Sequence, residues 1–371
     1  MINNKSYKFR LYPNNEQMEY FANCFGCVRF LYNKMLNERI SIYEQYKDDK
    51  DKLKSTKWKN YTSFKKEFDW LYNVDSLALA NAQLNLQTAY NNFFRSKGKM
   101  GFPKFKSKHK DLDSYTTNNQ NNNIRIENKH IKLPKIGFVK IKQHRQIPIS
   151  QEIKSCTISK TKSGKYYISI LVEWYSEDIS LTLDTNKAIG LDYSSPHFYI
   201  DNQNVSADYP KFYRNAEKQI ARVQRKLSKC IKGSNNYYKQ KKKIAIISEH
   251  ITNQRKDWLE KLSRKIANDY DIVCIESLNM KAMSEGLKLG KSTMDNGWGQ
   301  FVCMLERKVK KVVKIDKWFP SSKLCPVCGC VNKNLTLKDR IWTCDCGNII
   351  NRDYNAANNI LAEGLRILTQ N

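Results

Sequence analysis

"KAIGLDYSSPHFYIDNQN" (Lys187–Asn204) decides the fold. An apolar run ends on Asp192, "SSP" (Ser194–Pro196) interrupts it, and "HFYID" (His197–Asp201) reads as a strand returning beside the first. A carboxylate at the end of a buried strand is costly unless it is paired or metal-bound. The pattern recurs in "DIVCIESLNM" (Asp271–Met280), where Glu276 follows an apolar run, and "KVVKIDKWFP" (Lys311–Pro320) reads as a third buried strand. Two long helices lie between the first and second. Phe212, Ala216, Ile220, Val223 and Leu227 form one apolar stripe. After a bend at "GSNN" (Gly233–Asn236), Ile244, Ile247, Ile251, Trp258, Leu262 and Ile266 form the facing one, which is a helical hairpin. Strands and helices in this alternation predict an α/β domain with at least part of its sheet parallel.

Upstream the pattern changes. "SYKFRLYP" (Ser6–Pro13) alternates Tyr7, Phe9 and Leu11 with Lys8, Arg10 and Tyr12, a strand with one buried face. Pro13 and Asn14 end it and open a helix on which Met18, Phe21, Phe25, Val28, Tyr32 and Met35 recur every three or four residues. A second helical region runs from about Ser76 to Arg95. "GKMGFPKFKSK" (Gly98–Lys108) reads as a basic turn and strand, and strands dominate from there to about Glu173, with "KSGK" (Lys162–Lys165) as a hairpin turn. Strands on both sides of a helical insert predict a small barrel interrupted by helices.

The chain has 371 residues, 40% of them hydrophobic, enough for two or three packed units. Its 65 Lys+Arg against 36 Asp+Glu give a net charge of +29. Such an excess repels itself in a compact fold and points to a polyanionic partner. Between Lys211 and Lys265 there are 17 Lys/Arg and four Asp/Glu, so the hairpin is the expected nucleic-acid track, with Arg222, Arg225 and Lys226 as contacts. No apolar run approaches a membrane helix, and the first residues lack a signal-peptide core, which predicts a cytoplasmic protein with no membrane partner.

Five of the eleven cysteines fall between Cys325 and Cys346. Cys325-x₂-Cys328 and Cys344-x-Cys346 flank a short hairpin, a spacing that closes a tetrahedral thiolate site for a structural Zn²⁺. Cys330 is a fifth candidate ligand. Seven residues beyond Cys346 stands Asp353, at the head of a closing helix running to about Leu368. Phosphodiester hydrolysis needs divalent cations held by carboxylates. Asp192, Glu276 and Asp353 are the candidate set. Taken singly, each has a plainer reading: a turn former, a sheet-end charge and a helix N-cap.

The motifs "GLDYSS", "CIESLNM", "WFPSSKLCPVCGC…WTCDCGNIINRDYNAANNIL" and "YKFRLYPNNEQ…FGCVRFLYN" resemble, in order and over nearly the whole chain, the TnpB (OrfB-type) family. These are transposon-encoded RNA-guided DNA endonucleases related to compact type V CRISPR effectors. The resemblance implies an RNase H-like (RuvC) α/β nuclease domain, residues 185–322 and 348–371, with a zinc ribbon at 323–347. It implies an N-terminal β-barrel (wedge-like) domain, 1–14 and 97–184, interrupted by a helical recognition insert, 15–96. Asp192, Glu276 and Asp353 match the catalytic acids, each a ligand to Mg²⁺, two ions in all, cutting the non-target and target strands with water as nucleophile. The partners implied are a guide RNA from the transposon end and double-stranded target DNA, with the protein at the nucleoid when bound to DNA; the oligomeric state stays open, a monomer being favoured. Asn81 and Asn85 match the reader of the motif flanking the target. Lys104 and Lys106 in "GFPKFKSK" grip backbone. Arg340 and Arg352, close in sequence to Asp353, either meet phosphate or form surface salt bridges. A nuclease-inactive guided repressor and a compact CRISPR effector share this architecture. Two departures stand out: Asn351, where relatives often carry an acid, and "MLERKVKKVVKID" (Met304–Asp316), which lacks a Gly-containing turn. A shifted strand there would keep Glu276 and Asp353 apart.

Overall fold

The computed structural model describes residues 2–96, 98–109, 111–176, 182–286, 290, 295–336 and 338–370. The chain divides into two compact units, Met1–Asp178 and Ile179–Asn371. Among the described residues, no helix is long and apolar enough to cross a membrane.

In the first unit, strand β1 (Ile2–Tyr12) leads into helix α1 (Asn15–Tyr46). Asn14 caps the helix, accepting from the Gln17 amide at 2.8 Å while the Gln17 side chain accepts from the Asn14 amide at 3.1 Å. Short helices α2 (Lys50–Ser55) and α3 (Tyr61–Glu67) follow, then α4 (Ser76–Arg95), capped by the buried Asp75. Six further strands complete one antiparallel sheet: β2 (Asp113–Asn118), β3 (Arg125–Glu127), β4 (His130–Leu133), β5 (Gly137–Lys142), β6 (Glu152–Lys160) and β7 (Tyr166–Tyr175). The strand order is β2-β6-β7-β1-β5-β4-β3. β1 is therefore central, with Tyr7, Phe9 and Leu11 buried and Lys8 and Arg10 over the Tyr167 ring on the other face. Consecutive strands β2 and β3 stand at opposite edges, joined by residues 119–124. Six flat strand spacings of about 4.8 Å exceed the reach of that linker at about 3.5 Å per residue, so the sheet must curl. "GFPKFKSK" forms no strand. Asn33 of α1 holds it instead, bonding both the amide (2.8 Å) and the carbonyl (2.9 Å) of Lys106 and satisfying backbone that a ladder would have used.

The second unit begins with β8 (Ala188–Ser194) and β9 (Phe198–Asp201), antiparallel to each other. Helices α5 (Phe212–Ser228) and α6 (Asn235–Asp269) form the hairpin, followed by β10 (Ile272–Glu276), α7 (Met280–Gly286), α8 (Trp298–Leu305) and β11 (Lys311–Ile315). The hairpin buries Ile220, Ile251 and Ile266 as the periodicity predicts, but between the last two it buries Leu259 and Ser263, with the expected Trp258 and Leu262 only half-buried beside them. The small strands β12 (Ile341–Thr343) and β13 (Ile349–Asn351) precede the closing helix α9 (Arg352–Thr369). The four-stranded sheet runs β11-β10-β8-β9, with β8, β10 and β11 parallel.

This sheet has helices on both faces. Ile189, Leu191, Val273 and Ile275 share a core with α6 and α8, including Leu259, Trp298 and Phe301. Ile272, Cys274, Val313 and Ile315 pack with Ile360 of α9. Strand alternation therefore sends Gly190 and Asp192, like Cys274 and Glu276, to the α9 face. The turn lacking glycine closes regardless: the Lys308 and Val309 amides bond the Leu305 carbonyl at 2.8 and 2.9 Å. Lys308 is then tied to α6 through Glu260 (2.5 Å) and Ser263 (2.7 Å). β11 keeps its register on β10, pairing Ile315 with Glu276.

Candidate active site and thiolate centre

The parallel ladder between β8 and β10 ends with Leu191 opposite Ile275, which leaves Asp192 and Glu276 side by side as the next residues. β8 itself continues to Ser194, pairing with β9, so the strand does not stop at Asp192 as the sequence suggested. Helix α9 crosses this face at unusually short range. A Cβ at Gly190 would meet the Ala357 carbonyl at 2.3 Å, and one at Gly364 the Cys274 sulfur at 2.3 Å. Glycine at both positions lets the helix sit low enough for its first turn, with Asp353, to reach the strand ends. Asp192 feels the other two acids: burial, then the charges of Glu276 and Asp353, push its carboxyl well above the usual range, and Arg352 opposes this only in part. Glu276 is also raised by burial, against the opposing hydrogen bond from Ser321, whose hydroxyl donates to its carboxylate at 2.6 Å.

Asp353 is not the helix cap. Asn351 is, accepting from the amides of Asp353 and Tyr354 at 3.2 Å each. The departure at Asn351 thus has a structural use, and the Asp353 carboxylate is left for other partners. It meets Arg340 at 2.7 Å. The Arg352 amide bonds the Arg340 carbonyl at 2.9 Å, and its guanidinium donates to the Thr336 carbonyl at 3.3 Å. β13 runs into α9 without an intervening residue, so the hairpin fixes where the helix begins.

Behind that junction, buried Asn355 and Asn359 grip the preceding loop. Asn355 donates to the Leu324 carbonyl (2.8 Å), and Asn359 to the Ser321 (2.7 Å) and Leu324 (2.9 Å) carbonyls. Sequence reasoning missed Ser321, Asn355 and Asn359. Their signal was two polar residues, four apart, on the apolar face of the last helix, where a buried amide must find partners.

The Sγ atoms of Cys325, Cys328, Cys344 and Cys346 all lie within 4.8 Å of one another. The pairs Cys325–Cys346 and Cys328–Cys344 stand at 3.7 and 3.5 Å. Zn–S bonds of about 2.3 Å in a tetrahedron place sulfurs about 3.8 Å apart, so this donor set fits zinc. Gly329 and Gly347 follow the knuckles with φ of +72° and +86°, conformations closed to most side chains. Cys330 is outside the cluster, and its carbonyl accepts from the Cys325 amide at 2.9 Å. Beneath the sulfurs the core is small: Leu335, Trp342 and Ile350.

The expected nucleic-acid residues fare differently. Arg222, Arg225 and Lys226 are exposed on α5, and Asn85 and Lys104 are exposed in the first unit. Asn81 is half-buried, its amide donating to Leu77 O at 2.8 Å and to Asn118 at 3.4 Å. Lys106 turns inward, 4.2 Å from the centre of the Tyr32 ring.

Comparison with solved structures defines the class. The chain matches Cas12f1 in a cryo-EM structure titled as a Cas12f1-sgRNA-target DNA complex, with a TM-score of 0.57 and 14% identity over 97% of this chain and 99% of that one. The shared fold is the compact Cas12-like α/β architecture. Family models of the IS605 OrfB group match residues 169–286 ("Probable transposase") and 1–48 ("Helix-turn-helix domain"), and a "Cas12f1-like, TNB domain" matches 298–360. Residues 1–48 here hold β1 and one unbroken helix, α1, and no helix-turn-helix. A Streptomyces pristinaespiralis protein named "Putative RNA-guided DNA endonuclease" is 34% identical over 97% of this chain and 89% of its own length. "Putative RNA-guided DNA endonuclease InsQ" of Escherichia coli K12 is 30% identical over 98% and 93%. TnpB-like protein L770 of Acanthamoeba polyphaga mimivirus is 24% identical over 97% and 73%. The chain belongs to the TnpB family.

Proposed function

We propose that this protein is a transposon-encoded, RNA-guided endonuclease that cuts double-stranded DNA beside a short flanking motif, with Asp192, Glu276 and Asp353 as its Mg²⁺ ligands. The observation that carries the reading is the position of Asp192 and Glu276 on neighbouring parallel strands beneath the low-lying helix whose first turn holds Asp353; burial and the other two acids hold the Asp192 carboxyl high. The charges of Glu276 and Asp353 weigh on the buried Asp192 carboxyl, and a hard divalent cation relieves such repulsion with oxygen donors alone. When bound, magnesium supplies charge for the phosphate oxygens and a more acidic water. Water adds to phosphorus as the P–O ester bond breaks. Ser321 orients Glu276 for this task, and Arg340 and Asn351 hold the first turn of α9, so that Asp353 faces the strand ends.

In this reading residues 185–322 and 348–371 form an RuvC-like, RNase H-type domain, and 323–347 a zinc ribbon that positions Asp353. Residues 1–14 and 97–184 form the wedge-like barrel around the helical insert 15–96. The exposed Arg222, Arg225 and Lys226 face a nucleic-acid backbone, while Asn85 and Lys104 are the freer candidates at the DNA flank. Base pairing with the guide reads the target, and the protein reads the flanking motif and the heteroduplex shape.

The test is purification from cells, sequencing of bound RNA, and cleavage of a target library with randomised flanks in Mg²⁺. A discrete RNA and a single enriched flank are expected. Homogeneous protein that carries no discrete RNA would remove the guided reading.

A further inference from the structure

The helical part of the first unit holds a cleft that the proposed chemistry leaves unused. Helix α1, the segment around Leu53 and Trp58, α4 and the loop after it enclose about 720 Å³. Phe102 stands edge-on to Tyr90 and Phe93, with ring centres 5.5 and 5.4 Å apart. The Arg39 guanidinium lies 5.6 Å from the Trp58 ring and 5.0 Å from Tyr90. At the opening, Phe94 is 70% exposed, Tyr43 58% and Trp58 41%. A contiguous aromatic opening of this kind marks a binding surface more often than a packing defect.

Charge identifies the occupant. The wall that carries Phe102 belongs to "RSKGKMGFPKFKSK" (Arg95–Lys108), which holds six Lys/Arg and no Asp/Glu, against one acid, Glu44, in the lining of the cleft. Stacking faces beside a cationic strip suit an unpaired nucleic-acid strand, because bases inside a duplex cannot reach the rings. The volume lies within the range of ordinary ligand pockets, roughly 300–1,000 Å³, with room for planar bases between the walls. A polar row crosses the lining: Arg39 donates to Gln87 at 2.9 Å, and Gln87 to Asn91 at 3.0 Å. Amides and a guanidinium beside the rings match the 2′-hydroxyl and base edges of RNA.

We propose that this cleft captures unpaired bases of an RNA strand. The inference rests on the guided reading for the presence of RNA, but it concerns binding and not cleavage. The test uses full-length protein with fluorescein-labelled oligouridylate, oligothymidylate and a short RNA duplex, comparing wild type with Trp58→Ala and Phe94→Ala. Both rings lie at the cleft opening, and thermal unfolding confirms that each variant is folded. Oligouridylate affinity falls at least about fivefold in each variant, while duplex affinity and the dependence on salt stay unchanged, because stacking releases no counterions. Photocrosslinked 4-thiouridine maps to peptides carrying Tyr43, Trp58, Phe94 or Phe102.

Wild-type binding with unchanged variants, or crosslinks confined elsewhere, overturns the cleft proposal and leaves the guided reading standing. Equal sensitivity with oligothymidylate shows a cleft that takes either single strand and overturns the RNA assignment. Self-association that is lost in Trp58→Ala by sedimentation assigns it to a second copy of the chain. Wild type that binds none of the probes removes this inference, while the guided reading is decided separately by the co-purifying RNA.

Discussion

Gly190 of β8 and Ala357 of α9 are in closer contact than any other residue type would permit: a Cβ on the glycine would stand 2.3 Å from the alanine's carbonyl oxygen and 2.8 Å from the Leu361 Cβ. Gly190 lies two residues before Asp192, on the same strand face, and Ala357 lies one helical turn after Asp353. The contact therefore sets how near the two acids come. Gly190→Ala should destabilise the protein by about 3 kcal/mol, since backbone cannot move aside as a side chain can. Gly364→Ala should cost less: its neighbour is the Cys274 side chain, and alanine regains about 1 kcal/mol of helix propensity. Thermal unfolding of both variants checks the order, and equal losses would contradict it.

The elevated Asp192 carboxyl has a pH consequence in metal-free protein. A folded-state pKa above the unfolded value means that the native state binds more protons, so stability falls as pH rises from the usual aspartate range through the folded value. Asp192→Asn should thus be more stable than wild type at neutral pH in EDTA. The advantage should vanish below about pH 4, where both carboxyls are protonated. Magnesium should raise the melting temperature of wild type and not of the variant. A variant less stable than wild type at neutral pH would contradict this.

Ser321 ties Glu276 (2.6 Å) and is itself held through its carbonyl by Asn359 (2.7 Å). Ser321→Ala should weaken divalent-cation binding by about tenfold without changing the fold, the usual scale for a group that orients a ligand. Asn359→Ala should do the same and also lower stability, because it leaves the Ser321 carbonyl without this buried donor. Calorimetric titration with Mn²⁺ measures the affinity. Unchanged binding in Ser321→Ala would show that Glu276 needs no such support.

Four sulfurs within 4.8 Å over a core of a few side chains leave residues 323–347 dependent on their metal. Cys328→Ser should lose zinc and expose the 323–347 segment to protease, whereas Cys330→Ser should retain one zinc per chain. Elemental analysis and limited proteolysis decide this. Zinc loss in Cys330→Ser would place the fifth cysteine in the ligand set.

Asp192 and Glu276 were legible because a charge closing an apolar strand is conspicuous and alternation assigns its face. The helical hairpin and α4 were legible from periodicity. The cap of α9 was not: Asn351 and Asp353 both suit an N-cap, and only the point at which β13 ends decides between them. "GFPKFKSK" alternates like a strand, yet its backbone bonds are taken by Asn33, distant in sequence. Asn81 carries a base-reading amide whose N–H groups are used within the fold. Arg340, which the sequence left open between phosphate and a surface salt bridge, pairs with Asp353 here, a partner that spacing alone could not name.

The central claim is that Asp192, Glu276 and Asp353 act as one metal-holding set in DNA cleavage. Single-turnover cleavage of a guide-matched DNA in Mg²⁺ tests it most directly, with Asp192→Ala, Glu276→Ala and Asp353→Ala each loaded with the same RNA and shown to retain zinc. The expected result is target binding as in wild type with cleavage of both strands reduced at least about a thousandfold in every variant, a loss of about 4 kcal/mol in transition-state stabilisation. Cleavage near the wild-type rate in any one of the three would contradict the account.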